Sequence, residues 1–498
     1  MSKKISVRTL IAPIAFATAA AVVVLGTPLS ASAATYPSDS TAPNLIPLLS
    51  GYNAFWTSDG KNDLHGTVDN AGTLERNDAL AVWINNNATK SEQFLALQDS
   101  EYETTGNTSY DESITDATGL GSLLGSLYVK GRQDGKLPLT SAIVNATNGT
   151  NGAYVSTSAA KANFSYPRPY LPTDPNATPV AGDAAGCAPS LENASSLTGI
   201  RVGKPWADAK GNLKIKRVPN VTDTTHEFSP NDVALTAEYD QTGICTGGSF
   251  PSGHTTTAYE AGITLATLLP ELAPEILARS SEQGNDRIVL GVHYPLDIMG
   301  GRIDGEAAVA ARWSDTQYRN QVLLPARQEL LNYFKKATGT TLARDIQRER
   351  PYTSNPYGDK KLPGGTAQIV TNRSSAVSVY KERLTYGFPQ TGKKHQAPSV
   401  PAGAENLLIT AFPTLTDAQR TSVLAQTEIA SGYPLDLTGT TSGSWERLDL
   451  AAATSAAVQV EHNGAVKVVC TGGTAKVIKA PAAPHKPGKP THHAMVTR

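Results

Sequence analysis

Cysteine is scarce in this chain of 498 residues: there are three, with no C-x-x-C pair and no neighbouring histidine pair. That spacing excludes the common structural zinc arrangements. Charge is sparse as well. Only 17% of residues are charged, and 43 Lys and Arg against 44 Asp and Glu leave a net charge of -1. Nucleic-acid binding through bulk positive charge is therefore excluded. Beyond residue 25 no apolar run reaches the roughly 20 residues that a spanning helix needs, so no membrane span is expected. Apolar residues are not lacking. At 40% hydrophobic, with 42 glycines, the chain can build a sizeable core, and its length suits about three domain-sized units.

The first residues carry Lys3, Lys4 and Arg8, then an apolar stretch from Leu10 to Leu25, then Ala31-Ser32-Ala33-Ala34. This three-part layout predicts a secretory signal peptide over 1–33, cleaved after Ala33 or Ala34, and hence a secreted or cell-wall-associated protein. Cys187, Cys245 and Cys470 fit an oxidising compartment. Cys187 with Cys245 is the expected pair, since both lie in one loop-rich stretch; pairing with Cys470 stays open. The near-neutral total conceals a segregation. Residues 462–498 hold six cations and no acid, whereas 34–461 carry an excess of ten acids. The basic tail is thus a candidate for contact with anionic cell-wall polymers.

Apolar spacing predicts helices from about Arg76, with Leu80, Val82, Trp83, Phe94, Leu95 and Leu97 in the core, and at about 120–129 and 156–163. Further helices are expected at 256–269, 271–281, 295–313, 316–337, 417–430 and 447–458. Residues 170–250 read as a loop-rich insert in which only Leu213 to Val218 alternates like a strand. Residues 350–402, rich in Pro and Gly, read as a linker. A β-hairpin is expected about His462-Asn463-Gly464. The units are then 34–349, the linker 350–402, a small region 403–470 and a disordered tail 471–498. Trp56, Trp83 and Trp313 suit the core. His65 and His395 have no evident partner, and His226 is expected to face solvent.

Three clusters carry chemistry. The first runs from Lys161 to Arg168-Pro169, the second is Gly248-Ser-Phe-Pro251-Ser252-Gly253-His254-Thr255, and the third spans Arg287 to His293 and Asp297. Together they offer three cations, two of them guanidinium forks suited to phosphate oxygens. Ser252 and Gly253 sit where a helix begins, a place favourable to anions. Two histidines can divide nucleophilic and acid–base roles, and Asp297 lies one helical turn beyond His293, within reach of its ring.

These clusters closely resemble the signature of the type 2 phosphatidic acid phosphatase superfamily, K-x6-R-P, P-S-G-H and S-R-x5-H-x3-D. Asp286 stands where the pattern has Ser. Gly248 to Thr255 is similar to the longer motif of secreted bacterial class A non-specific acid phosphatases, with Phe250 for Tyr. The resemblance covers about 75–315. It implies a mainly α fold, a helical-bundle core of the acid phosphatase and haloperoxidase type, with the long insert and a small α/β C-terminal region added. It implies a metal-independent phosphomonoesterase that acts on a small-molecule phosphate ester through a phosphohistidine and needs no cofactor. His293 would be the nucleophile, Asp297 its orienting partner and His254 the general acid and base. Lys161, Arg168, Ser252, Gly253 and Arg287 would bind phosphate. The alternative within the superfamily is a vanadium haloperoxidase, holding vanadate in the same cradle; a lipid-phosphate phosphatase fits less well without spanning helices. Asp286 raises the question of whether it pairs with Arg287 and weakens anion binding.

Overall fold

The computed structural model describes residues 36–102, 113–145, 152–169, 195–237, 239, 247–440 and 442–479. The expected signal peptide, Cys187, Cys245 and most of the basic tail lie outside them. Helix makes up 52% of the structure and the sheets are small, so the fold is mainly α with a small C-terminal sheet.

Chain order begins with a two-stranded ribbon, β1 (Trp56–Ser58) and β2 (Gly66–Val68), followed by α1 (Ala71–Asn87), α2 (Lys90–Glu101), α3 (Ser122–Gln133) and α4 (Ser158–Phe164). The described part of the insert contributes α5 (Ser195–Arg201) and a hairpin of β3 (Val221–Asp223) with β4 (Val233–Leu235). The expected strand at 213–218 reduces to one bridge, between Ala207 and Leu213. Far from being a loose surface elaboration, this part of the insert is tied into the core. Arg201 and Asp78 form an ion pair at 2.8 Å with both side chains almost wholly buried, and Leu197, Val218, Phe228 and Leu235 are buried.

The centre consists of α6 (Gly253–Leu268), α7 (Ala273–Val289) and α8 (Pro295–Ser314). All residues of α7 are buried, including Arg279, Glu282, Asn285, Asp286 and Arg287. Small residues let these helices approach. A Cβ on Gly262 of α6 would lie 1.7 Å from the Ser280 hydroxyl oxygen of α7, and one on Gly305 of α8 would lie 2.9 Å from the Thr256 carbonyl oxygen. Substitution at either would force the helices apart. No single helix among the described residues is long and apolar enough to cross a membrane.

Four boundary expectations change. The helix expected over 271–281 runs on to Val289 and takes in Asp286 and Arg287. Within 350–402, expected as a linker, α9 (Arg373–Thr385) begins at an Asn372 cap and buries Ala376, Val379, Tyr380, Arg383 and Leu384. Those positions repeat at helical spacing; the flanking Pro and Gly drew attention away from them. The helix expected over 447–458 shrinks to Leu450–Ala453, because Ala457–Val460 becomes β5. In the supposed disordered tail, β7 (Lys476–Lys479) pairs in parallel with β5, whose other neighbour is β6 (Val466–Cys470). Cys470 lies exposed on β6. One hydrophobic cluster runs from Leu45 to Val466, so the 34–349 and 403–470 units share a core. Arg302 of α8 meets Glu446 at 2.5 Å inside it.

Candidate active site

The site forms where the end of α4, the start of α6 and the turn between α7 and α8 converge. Lys161 sits in the last turn of α4, and Ser165, in the left-handed conformation at φ 47°, redirects the chain toward Arg168. The Lys161 ammonium donates to the carbonyls of Gly248 and Ser249, each at 3.1 Å, and to that of Pro251. The first motif thereby holds the second in place. Burial pushes the Lys161 pKa well down, as does Arg168, while Asp297 and Asp304 oppose the shift.

Ser252 is the N-cap of α6. Its hydroxyl oxygen accepts from the Thr255 N–H at 3.3 Å and from the Thr255 hydroxyl at 2.9 Å. Its own N–H donates to the Asp297 carbonyl at 3.1 Å. Gly253 and His254 follow in the first turn of the helix, a place favourable to an anion.

His293 is buried, 1% exposed, and is held from both sides. Its Nδ1 lies 3.0 Å from Asp297 Oδ2, and its Nε2 lies 3.0 Å from Arg168 Nη1, which also donates to the Val292 carbonyl. A guanidinium can only donate, so Nε2 carries the lone pair and Nδ1 carries the proton. Asp297 Oδ2 also accepts from the Tyr294 N–H at 2.8 Å and from the Ser249 hydroxyl. Burial raises the Asp297 pKa to about 6, against the lowering effect of these donors. Burial and then Arg168, Lys161 and Arg287 push His293 well below its ordinary value. His254 is depressed by burial and by the same three cations, Arg287 foremost. Both histidines thus feel one cationic centre.

Arg287 reaches the site from the last turn of α7, with Nη1 donating to the Ser100 hydroxyl at 2.7 Å. Asp286 does not pair with it. Its carboxyl lies 3.7 Å from Arg279, two turns back along α7, and burial with Glu92 and Asp99 raises its pKa well above the ordinary carboxyl range. The carboxyl is thus directed to Arg279 and not to Arg287.

Several supporting residues escaped the sequence reading. Ser249 lay inside a quoted motif without receiving a role. Ser100 gave no signal. The Asp78–Arg201 pair, whose guanidinium also donates to the Tyr294 hydroxyl at 3.1 Å, joins α1 to the insert across 123 positions. His65, expected without a partner, meets the Asp63 carbonyl at 2.8 Å and its carboxylate at 3.1 Å. His226 is half exposed and meets Asp232 at 2.8 Å. A cavity of about 900 Å³, lined by α3, His226 and Tyr352, contains none of the three clusters.

Residues 205–321 match the PAP2 superfamily. The matched stretch includes Ser252, His254, Arg287, His293 and Asp297; Lys161 and Arg168 precede it. The chain is similar to an acid phosphatase of Zymomonas mobilis subsp. mobilis, 36% identical over 116 residues, or 23% of this chain and 44% of the relative. It is also similar to a non-specific acid phosphatase of Providencia stuartii, 33% identical over 95 residues, covering 19% and 38%. One of Salmonella typhimurium is 33% identical over 91 residues, covering 18% and 36%. The chain spans less than half the length of these relatives.

Proposed function

We propose that the protein is a secreted acid phosphatase that hydrolyses phosphomonoesters through a phosphohistidine, with charged side chains rather than a metal stabilising the reacting phosphoryl group. The observation that carries the reading is His293 pinned by Asp297 at Nδ1, with its Nε2 lone pair facing the centre on which Lys161, Arg168 and Arg287 act. An entering phosphate dianion takes the Arg168 donor from Nε2, because the charge-assisted bond to phosphate is the stronger. The freed lone pair attacks phosphorus, the bond to the alcohol oxygen breaks, and His254 gives that oxygen its proton. Asp297 offsets the charge that reaches the ring. In the second half His254 takes a proton from water, the water oxygen attacks phosphorus, and the N–P bond pair returns to Nε2 as phosphate leaves. The three cations, the Ser252 hydroxyl and the Gly253 N–H stabilise the equatorial oxygens.

The depressed histidine pKa values suit acid conditions. His293 keeps its lone pair as pH falls, while His254 reaches its acid form only on the acid side of neutrality. A bound dianion offsets the cations and raises His254 again. Export is supported by the leader pattern of 1–33.

Hydrolysis of p-nitrophenyl phosphate in the presence of EDTA, with trapping of an acid-labile phosphoenzyme, tests the proposal. His293→Ala should abolish both signals, and robust turnover by that variant overturns the mechanism. Bromide oxidation by peroxide with added vanadate, alongside negligible ester hydrolysis, would instead identify a haloperoxidase.

A further inference from the structure

Beside His254 lies a cavity of about 200 Å³, smaller than the usual 300–1,000 Å³ of a drug-sized ligand pocket. One wall is the stripe of α6 formed by Gly253, His254 and Thr257, which stays partly exposed while Ser252, Thr255, Thr256 and Ala258 are buried. The opposite wall is the segment leading into α4, which presents Tyr154, Ser156, Thr157 and Ser158. The two walls close on each other at Thr157, whose Oγ1 would lie 3.1 Å from a Cβ placed on Gly253. His293 lies buried, so this cavity is an approach to the site from the side of His254, the residue placed to protonate the leaving oxygen.

The lining is uniform in chemistry. Among the described residues its side-chain polar groups besides His254 are hydroxyls, Val155 is its one larger apolar side chain, and no Lys, Arg, Asp or Glu contributes. Such a wall hydrogen-bonds neutral groups that both donate and accept. Apart from His254 it offers no charge to neutralise a polyanionic leaving group, and its hydroxyl-rich surface gives a long acyl chain little apolar area to cover. We infer that the alcohol portion of the substrate is a small, neutral, polyhydroxylated group, that of a sugar or polyol monophosphate. This rests on the phosphatase reading and names the substrate class that the same site favours.

The test compares kcat/KM of the full-length protein for glycerol phosphate and a hexose phosphate with that for phytate and a long-chain lysophosphatidate, using p-nitrophenyl phosphate as reference. The expected result is a preference of about tenfold or more for the polyol monophosphates. Thr257→Val and, on the other wall, Thr157→Val should each lower the ratio of glycerol phosphate to p-nitrophenyl phosphate activity about fivefold, the worth of one neutral hydrogen bond. Phytate or the lipid phosphate turning over as well as glycerol phosphate overturns the inference, as does an unaltered ratio in both variants. Hydrolysis of p-nitrophenyl phosphate without any preference sinks this inference alone. No hydrolysis of any ester sinks the phosphatase reading beneath it.

Discussion

Replacing Asp297 by Asn isolates the contribution of one charge. In the native protein Oδ2 accepts three bonds, from His293 Nδ1, the Tyr294 N–H and the Ser249 hydroxyl, whereas Oδ1 is buried without a hydrogen-bond partner. An Asn side chain can put its carbonyl oxygen where Oδ2 stood and its amide nitrogen in the place of Oδ1. All three donors then remain satisfied and the ring keeps its tautomer, so only the negative charge is lost. A hydrogen bond to a charged group contributes about 1.5–3 kcal/mol and a neutral one about 0.5–1.5, a difference of roughly 1.4 kcal/mol. Because charge builds on the ring only as phosphorus is attacked, that difference falls on the barrier and lowers kcat by about tenfold. Asp297→Ala, by contrast, orphans three donors and loses folding stability as well. The pH dependence supplies the decisive readout. Asp297 has a pKa of about 6. Above that value the native carboxylate outperforms Asn; below it the native group is itself neutral, and the ratio of the two kcat values should fall toward one. The assay is kcat at saturating p-nitrophenyl phosphate from about pH 4 to pH 8. A ratio that stays constant across that range, or an Asn variant as inactive as His293→Ala, would refute the reasoning.

His254→Ala should lower kcat at least about 100-fold toward alkyl phosphates, the usual worth of a general acid. It should lose much less toward p-nitrophenyl phosphate, whose leaving group needs no proton; equal losses on both would remove His254 from that role. Glu260 and Asp304 are buried, the Asp304 carboxyl oxygens have no hydrogen-bond partner, and burial raises both pKa values well above the ordinary range, against a lowering backbone hydrogen bond from Val155 at Glu260. The folded state therefore binds their protons more tightly than the unfolded chain, so these groups cost stability as pH rises through and beyond the ordinary carboxyl range. Asp304→Asn and Glu260→Gln should match the native protein in urea unfolding near pH 4 and exceed it at pH 7. Asp78→Ala should cost about 3–5 kcal/mol by stranding the buried Arg201, and a paired Asp78→Leu, Arg201→Met exchange should recover most of that loss.

Contacts that stay within a motif or close along the chain could be read from the sequence. His293 and Asp297 meet because four residues make one helical turn, and α6, α8 and the first half of α7 were legible as helices, whereas the polar second half of α7, with Asp286 and Arg287, was not. Partnerships closed by the fold could not be read. Nothing near Arg287 points to Ser100, 187 positions earlier, and nothing in Asp78 points to Arg201. Asp286 is the instructive case. A one-residue departure beside an arginine expected to bind phosphate looked like a threat to function, yet neighbours on a helix project in different directions, and its carboxyl joins Arg279 and Glu92 instead. The α9 helix shows the converse failure, where composition at the flanks outweighed a legible period in between.

The Arg302–Glu446 pair bears on the order in which the molecule is completed. The stretch that matches the PAP2 superfamily contains α8, which carries Asp297 at one end and Arg302 five residues on. Arg302 finds part of its neutralisation in Glu306, at 3.0 Å, but the rest comes from Glu446 and from the Trp445 and Glu446 carbonyls. A ribosome delivers those groups more than a hundred residues after Asp297. Until they arrive, the helix that carries Asp297 retains a guanidinium that prefers water, and the proposed reaction centre is completed only by residues near the other end of the described chain.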